Sequence, residues 1–421
     1  MSTMHRVAAG VLLLVTCSTA FAQKGTSSPN PQWDCTVPES LWELEFLGRD
    51  PQDPVIAVDP DGFVYVGCWA FDVARDSFDF YVRSRPPGGR FGPPVNVSKE
   101  RWIITLTSPR LLLAPNGALL VIWPGAGGTS YRTKVAWSTD HGATFSKAVI
   151  LAPDLPCLDV GAGFDGLGIL HVAMRGFNQK GKDDVYYMYS LQPVAPGGGF
   201  PFAGIDPATF SPPTNLTRDK DVQVELVVAS TRSGEIYIAF ESNPEDGPAA
   251  SQWISIRRGV VSRYTMTRDQ LALEVAAGPT GLVGFFYAQR FDYKYAEPNL
   301  FRGRDGQYLL PIITIPAPGP IAGPGGSRSG ISISPAEEIV LGIINFGTYK
   351  KTTVQISYSP DAGDTWVPPL NLSRYETEAD GIFGIEPAVA FGPDGLIHVA
   401  WLGFFEGAKG RHVLYASAKY E

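Results

Sequence analysis

The sequence predicts an all-β protein, a closed ring of four-stranded antiparallel sheets around one axis, the architecture of a β-propeller. Three observations predict it. An apolar strand, an Asp-Gly or Asn-Gly turn and a second apolar strand recur in one frame along the chain. Each such hairpin is followed by a more polar pair of strands. Gly (46) and Pro (36) are spread along the chain rather than clustered, which suits many short strands and many turns.

The chain has 421 residues, 44% hydrophobic, 12% aromatic and 18% charged. That is enough apolar surface for a large core and too little charge for disorder. Length alone suggests two or three domains, but repeat folds break that rule. The net charge is −8 and no run of Lys or Arg occurs, so neither a basic face nor nucleic acid as a partner is expected.

Residues 1–22 read as a signal peptide, with His5 and Arg6 before an apolar core from Val7 to Val15. Ala20-Phe21-Ala22 is a small-x-small cleavage site. No later stretch reaches the about 18 uninterrupted apolar residues of a membrane span, so membrane insertion is not expected. The implied location is secreted or periplasmic, with a lipid anchor on Cys17 as the minor alternative. Residues 23–40 form a polar N-terminal segment, and 41–421 a single repeat domain. Three cysteines remain after processing. A Cys35–Cys68 disulfide with Cys157 left over stands beside three small buried hydrophobes as the two readings.

The repeating frame is specific. Asp53-Pro54 leads to Asp61-Gly62 and then Phe63 to Trp69. Ser108-Pro109 leads to Asn116-Gly117 and then Ala118 to Trp123. Glu386-Pro387 leads to Asp394-Gly395 and then Leu396 to Trp401. Glu297-Pro298 leads to Asp305-Gly306, Glu225 leads to Ser233-Gly234, and a looser copy runs from Leu158 through Asp165-Gly166 to Met174. The Gly supplies the positive φ of a tight hairpin turn. Runs such as Leu396-Ile397-His398-Val399-Ala400-Trp401 are nearly all apolar, as strands covered on both faces are. Pro at a strand's first position removes no needed donor.

In the polar pairs, Ser138, Asp140, Gly142, Thr144 and Phe145 match Ser359, Asp361, Gly363, Thr365 and Trp366 in one pattern, Ser-x-Asp-x-Gly-x-Thr-(Trp/Phe). Ser84 to Phe91 keeps the Ser, Gly and Phe but has Pro86 at the Asp position. A further echo, Asn-x-Ser/Thr at Asn96, Asn215 and Asn371, reads as repeat geometry or as glycosylation acceptors.

These motifs and the hairpin frame resemble the sialidase superfamily and related Asp-box (BNR) repeat proteins, from about Leu41 to Glu421. The resemblance implies that each box Asp ties a hairpin shut by accepting backbone N–H bonds while its aromatic plugs a gap between blades. Seven units fit best, with inner pairs starting near Pro54, Pro109, Leu158, Leu226, Leu271, Ile331 and Pro387. The last keeps three strands, and Leu41 to Leu47 is expected to supply the fourth and close the ring, leaving no exposed edge. Six units are the alternative. That layout starts an inner pair at Glu297 and treats a hairpin near Ile331 to Phe346 as an insertion.

A sialidase-type site would need three arginines on a carboxylate, a Tyr nucleophile activated by a Glu, and an Asp acid. The family's Arg-Ile-Pro has its nearest match in Pro109-Arg110-Leu111, in reversed order, and no Asp lies between Gly117 and Asp140. The resemblance therefore implies at most a candidate catalytic set of Arg110, Arg290, Tyr295, Glu297 and Arg302, with Tyr293 and Arg304 nearby. A solvated Arg- and Tyr-rich loop is the plain alternative. Arg175 is a candidate binding residue, or a surface one. Glu225 and Glu386 open inner strands and either ring the channel mouth or cap strand starts. His171 and His398 share a repeat position before Val-Ala and read as structural. No metal motif or phosphate loop occurs, and no cofactor is expected. Pro316 to Gly330 reads as a long Gly-rich loop. Three functions stay open: glycan binding on the propeller face, a glycoside hydrolase of the exo-sialidase type, and a non-catalytic scaffold for protein. A glycan or glycoprotein is the expected partner, and the oligomeric state is open.

Overall fold

The computed structural model describes residues 33–36, 39–41, 51–99, 109–127, 130–177, 183–196, 209–218, 222–243, 250–265, 270–290, 295–304, 307–315, 321–322, 330–346, 351–372, 377–378, 387–404 and 411–420. Among them there is no α-helix, and no helix long and apolar enough to cross a membrane. The strands form seven four-stranded antiparallel blades, numbered here I to VII, with strands a to d from the axis outward.

The a strands are Gln52–Val58, Arg110–Leu113, Cys157–Phe164, Val222–Ser230, Gln270–Ala277, Gly330–Ile333 and Ala388–Phe391. They match the seven-unit layout, each beginning within four residues of the expected start. Glu297 lies in Tyr295–Arg304, strand c of blade V, so its likeness to an inner start is a coincidence of turn chemistry and the six-unit alternative falls away. Blades V and VI are joined by Ile321–Ala322, from the Gly-rich loop, which pairs with Tyr295–Ala296 on one side and Asn345 on the other.

Seven buried apolar clusters hold the ring, one in each gap between neighbours. The repeating inner strands are apolar on both faces because both faces meet another blade. Closure happens in blade VII, where chain start and chain end share a sheet. The closing segment lies upstream of the expected Leu41 to Leu47. Trp33–Cys35 pairs with Ala418 to Tyr420, and Glu39–Ser40 pairs with Leu414 and Tyr415. Leu41 N donates to Val413 O at 2.8 Å, and residues 42–47 lie outside the described residues. The propeller therefore takes in part of the polar segment assigned to 23–40. The signal-peptide reading of 1–22, and with it Cys17, also falls outside the described residues.

The two Ser-x-Asp turns lie between strands c and d of blades II and VI. Asp140 Oδ1 accepts from Thr144 N at 2.9 Å, and Asp361 Oδ1 accepts from Thr365 N at 2.7 Å. Each Ser hydroxyl donates to the Asp and accepts from the turn Gly N–H, at 2.8 Å in both turns. Phe145 packs into the gap between blades I and II, and Trp366 into that between V and VI, so each plugs the space toward the preceding blade. Gly142 and Gly363 need their flexibility, with φ of 79° and 91°.

Two of the three Asn-x-Ser/Thr sites share one repeat geometry. Asn96 and Ser98 both hydrogen-bond the buried Asp79 of strand c, and Asn215 and Thr217 do the same with Asp184. His171 and His398 are buried and each bonds a strand c tyrosine, Tyr187 or Tyr415, through Nδ1 at 2.7 Å. The proposed Cys35–Cys68 disulfide is absent: Cys35, Cys68 and Cys157 are all free thiols, the last two buried. Strands of different blades hold them, and packing rather than a cross-link fills those places.

Candidate functional site

Antiparallel order gives the ring two unlike faces. The start of a, the end of b, the start of c and the end of d meet on one, the connection face. Turns joining a to b and c to d occupy the other, the turn face. Strand position places Arg110, Arg175, Glu225, Arg290, Tyr295 and Glu297 on the connection face. Glu386 lies outside the described residues.

Arg302 does not join them. It sits near the far end of strand c in blade V, 6% exposed, and donates to Ala362 O at 2.6 Å and Asp364 Oδ1 at 2.8 Å. Its guanidinium clasps the Ser-x-Asp turn of blade VI. Placed on the turn face, this arginine stands apart from the other candidates and ties two blades, chiefly through the Ala362 carbonyl.

The first strands of blades II to IV crowd together at the mouth of the axial channel. Arg110 is half-buried. Its Nε donates to Val160 O at 3.1 Å, and its Nη2 reaches Leu226 O, so one side chain spans two neighbouring blades. Asp159, 1% exposed, bridges the same strands from the other side. It accepts from Val160 N at 2.8 Å and Leu226 N at 2.9 Å. Gly161 permits this approach, since a Cβ there would stand 3.0 Å from Leu226 O. Arg175 is Asp159's cross-strand partner. Its Nε and Nη2 donate to Asp183 Oδ2 at 2.8 and 2.5 Å, an ion pair held on strands b and c.

Bulges open four of the inner strands, in blades I, III, IV and V. In blades I and IV the bulge carries an acid with left-handed backbone, Asp53 at φ 50° and Glu225 at φ 58°. Such a φ is uncommon for a residue with a Cβ. Both side chains are half-buried. The bulge turns each acid out of the strand's alternation, at the place where the strand leaves the mouth.

For Arg290, Tyr295 and Glu297 the backbone register is what the structure describes. Arg290 pairs with Ala296 and Gln289 with Glu297, so Arg290, Tyr295 and Glu297 lie at one end of a single hairpin of blade V. Burial pushes the Cys157 thiol up to about 12, an effect that its hydrogen-bonded neighbours only partly offset, so it is no nucleophile at neutral pH. Among the described residues no cluster of three His, Cys, Asp or Glu could hold a metal. The mouth as built offers guanidinium N–H donors and carboxylate acceptors to a polar ligand.

Sequence reasoning missed Asp159 and Asp183. The first had a signal, an acid set inside the apolar run Cys157 to Phe164. The second had none short of knowing which strand lies opposite Arg175.

No family model matches this chain, and no curated protein matches it in sequence. Solved structures do resemble it in fold. An ulvan lyase, a polysaccharide lyase, superposes with a TM-score of 0.57 at 13% identity, covering 87% of this chain and 94% of that one. The α-L-arabinanase of Penicillium chrysogenum, solved with arabinobiose, gives 0.52 at 10% identity over 92% and 98%. A protein of unknown function from Dyadobacter fermentans gives 0.53 at 12% identity over 92% and 99%. At these identities the likeness is one of fold.

Proposed function

We propose that this chain is a secreted or periplasmic propeller of the Asp-box kind that binds a glycan at the channel mouth on its connection face. The observation that carries the reading is the pair of left-handed acids, Asp53 and Glu225, at matching bulges around that mouth. A strained backbone of this kind costs on the order of 1 kcal/mol or more and clusters at ligand clamps and active sites. The nearby Arg175–Asp183 pair and Arg110 add the donors that sugar hydroxyls and acids take up. Support also comes from the company the fold keeps, which includes a polysaccharide lyase and an arabinanase. The hydrogen bonding of the two Ser-x-Asp turns supports the sialidase-superfamily resemblance.

Glu225→Gly separates function from strain. Glycine relieves the backbone and removes the carboxylate, so stability should hold or rise while binding to a panel of immobilised polysaccharides falls. Unchanged binding across the panel would sink the reading.

A second reading, a hydrolase of the exo-sialidase type, is favoured by strands b and c of blade V bringing the backbone of Arg290, Tyr295 and Glu297 to one end of a single hairpin. The loss of Arg302 from the arginine set weighs against it. Turnover of a fluorogenic sialoside that vanishes in Glu297→Gln would move the protein into that class.

A further inference from the structure

The gaps between blades need filling on the turn face, and in most of them the filler comes from the region joining c to d or from strand d itself. Phe145 fills the gap between I and II, and Trp366 that between V and VI. Val194 and Phe210 of blade III fill that between II and III. Trp33 lies against Tyr358 between VI and VII, and Phe91 against Tyr415 between VII and I. Blades III and IV are closed by backbone instead, since a Cβ on Gly166 would meet Arg232 O at 2.4 Å.

Blades IV and V differ. Their filler would come from blade V, where only two residues join strands c and d and Arg304 pairs directly with Gln307. A groove of 540 Å³ is left. That volume is within the range of small-molecule sites, roughly 300–1,000 Å³. Blade IV supplies most of its wall, and Phe285 and Gly303 of blade V the rest.

The lining is chemically ordered. Tyr264 is held flat by stacking on Trp253, with planes 14° apart and centroids 5.2 Å apart. Glu235, 5% exposed, accepts from Tyr237 Oη at 3.0 Å and from Arg257 Nε at 2.7 Å. Ser255 and Ser262 add hydroxyls. Arg258 stands at the rim in the two-residue c–d turn of blade IV, exposed, and makes no ion pair among the described residues.

We propose that this groove is a second binding site, on the face opposite the channel mouth, for a carboxylated sugar residue such as a uronic acid. Arg258 takes the carboxylate through its planar fork. Tyr264 offers an aromatic wall to the sugar ring, and the Glu235–Arg257 pair with the two serines meets the ring hydroxyls. Nothing at the channel mouth enters this site.

Calorimetric titration of the mature chain with D-glucuronate, and with D-glucose as its uncharged counterpart, tests it. Glucuronate should bind saturably, one per chain, and at least about tenfold tighter than glucose, a difference of about 1.4 kcal/mol. Arg258→Asn suits the left-handed φ of 49° at that position and so keeps the turn. It should abolish the preference for glucuronate and leave the melting temperature unchanged. Glu225→Gly, at the mouth, should leave glucuronate binding intact. Absence of saturable binding, a preference that survives Arg258→Asn, or binding lost in Glu225→Gly would each overturn the proposal.

Discussion

Replacing Arg302 tests whether an arginine that sequence resemblance places in a catalytic set is instead an inter-blade tie. Arg302→Met keeps most of the aliphatic stem and removes the guanidinium. Two hydrogen bonds go. The one to Asp364 involves a side chain 71% exposed, so it contributes at most about 0.5 kcal/mol. The bond to the Ala362 carbonyl at 2.6 Å is charge-assisted and shielded by a side chain only 8% exposed, and is worth roughly 1.5–3 kcal/mol. The sum is about 1.5–3.5 kcal/mol, which at roughly 1.2 °C per kcal/mol for a chain of this size lowers the melting temperature by about 2–4 °C. Arg302→Ala also deletes the stem against Gly363, at about 0.8 kcal/mol per buried methylene, and should melt lower still. Differential scanning fluorimetry of both variants, alongside polysaccharide binding, reads the effect. Arg302→Met that melts with the parent yet loses glycan binding would refute the structural role.

Three more expectations follow from buried or hydrogen-bonded groups. Burial lowers the pKa of His398 from 6.5 to about 4, so the native state excludes a proton that the unfolded chain accepts. Stability from its neutral form is whole above 6.5 and lost as pH falls through about 4, in all roughly 3 kcal/mol. His398→Asn should therefore flatten the melting temperature across that window, and an equal slope in parent and variant would contradict it. In the Ser-x-Asp turns, burial alone would raise Asp140 and Asp361, but hydrogen bonds from Thr and Ser outweigh it and hold both below the usual carboxylate range. Their contribution is present above the unfolded carboxylate pKa and disappears as pH drops through the lower folded value. Asp361→Asn should thus lower stability at neutral pH, with the gap to the parent closing in acid, as melting curves taken down the pH scale would reveal. Thiol titration with a colorimetric disulfide should find Cys35 reactive in the folded protein and Cys68 and Cys157 only after denaturation, since these two are buried and their thiols are pushed well up. Fewer than three thiols in denaturant without reductant would mean that a cross-link forms.

Local rules determined a great deal about this protein before any coordinates. Seven inner strands were legible because a strand covered on both faces must be apolar at every position and must end in a turn that tolerates positive φ, as at Gly62, Gly117 and Gly395. Ser138 to Phe145 and Ser359 to Trp366 were legible because the hydrogen bonds that close those turns run between residues at most four apart. What only the tertiary structure decided lies across gaps between blades. Arg302 belongs to a turn 60 residues away, and Arg110 to a carbonyl 116 residues away. The ring closes through Trp33 to Leu41 because those backbone groups meet the edge strand of a blade at the other end of the chain. The groove between blades IV and V exists because a filler is missing, and an omission has no residue to announce it. Sequence patterns record what each strand must bury. Partners brought together by closure leave no periodic trace, since their separation along the chain is set by the ring and not by any turn or strand.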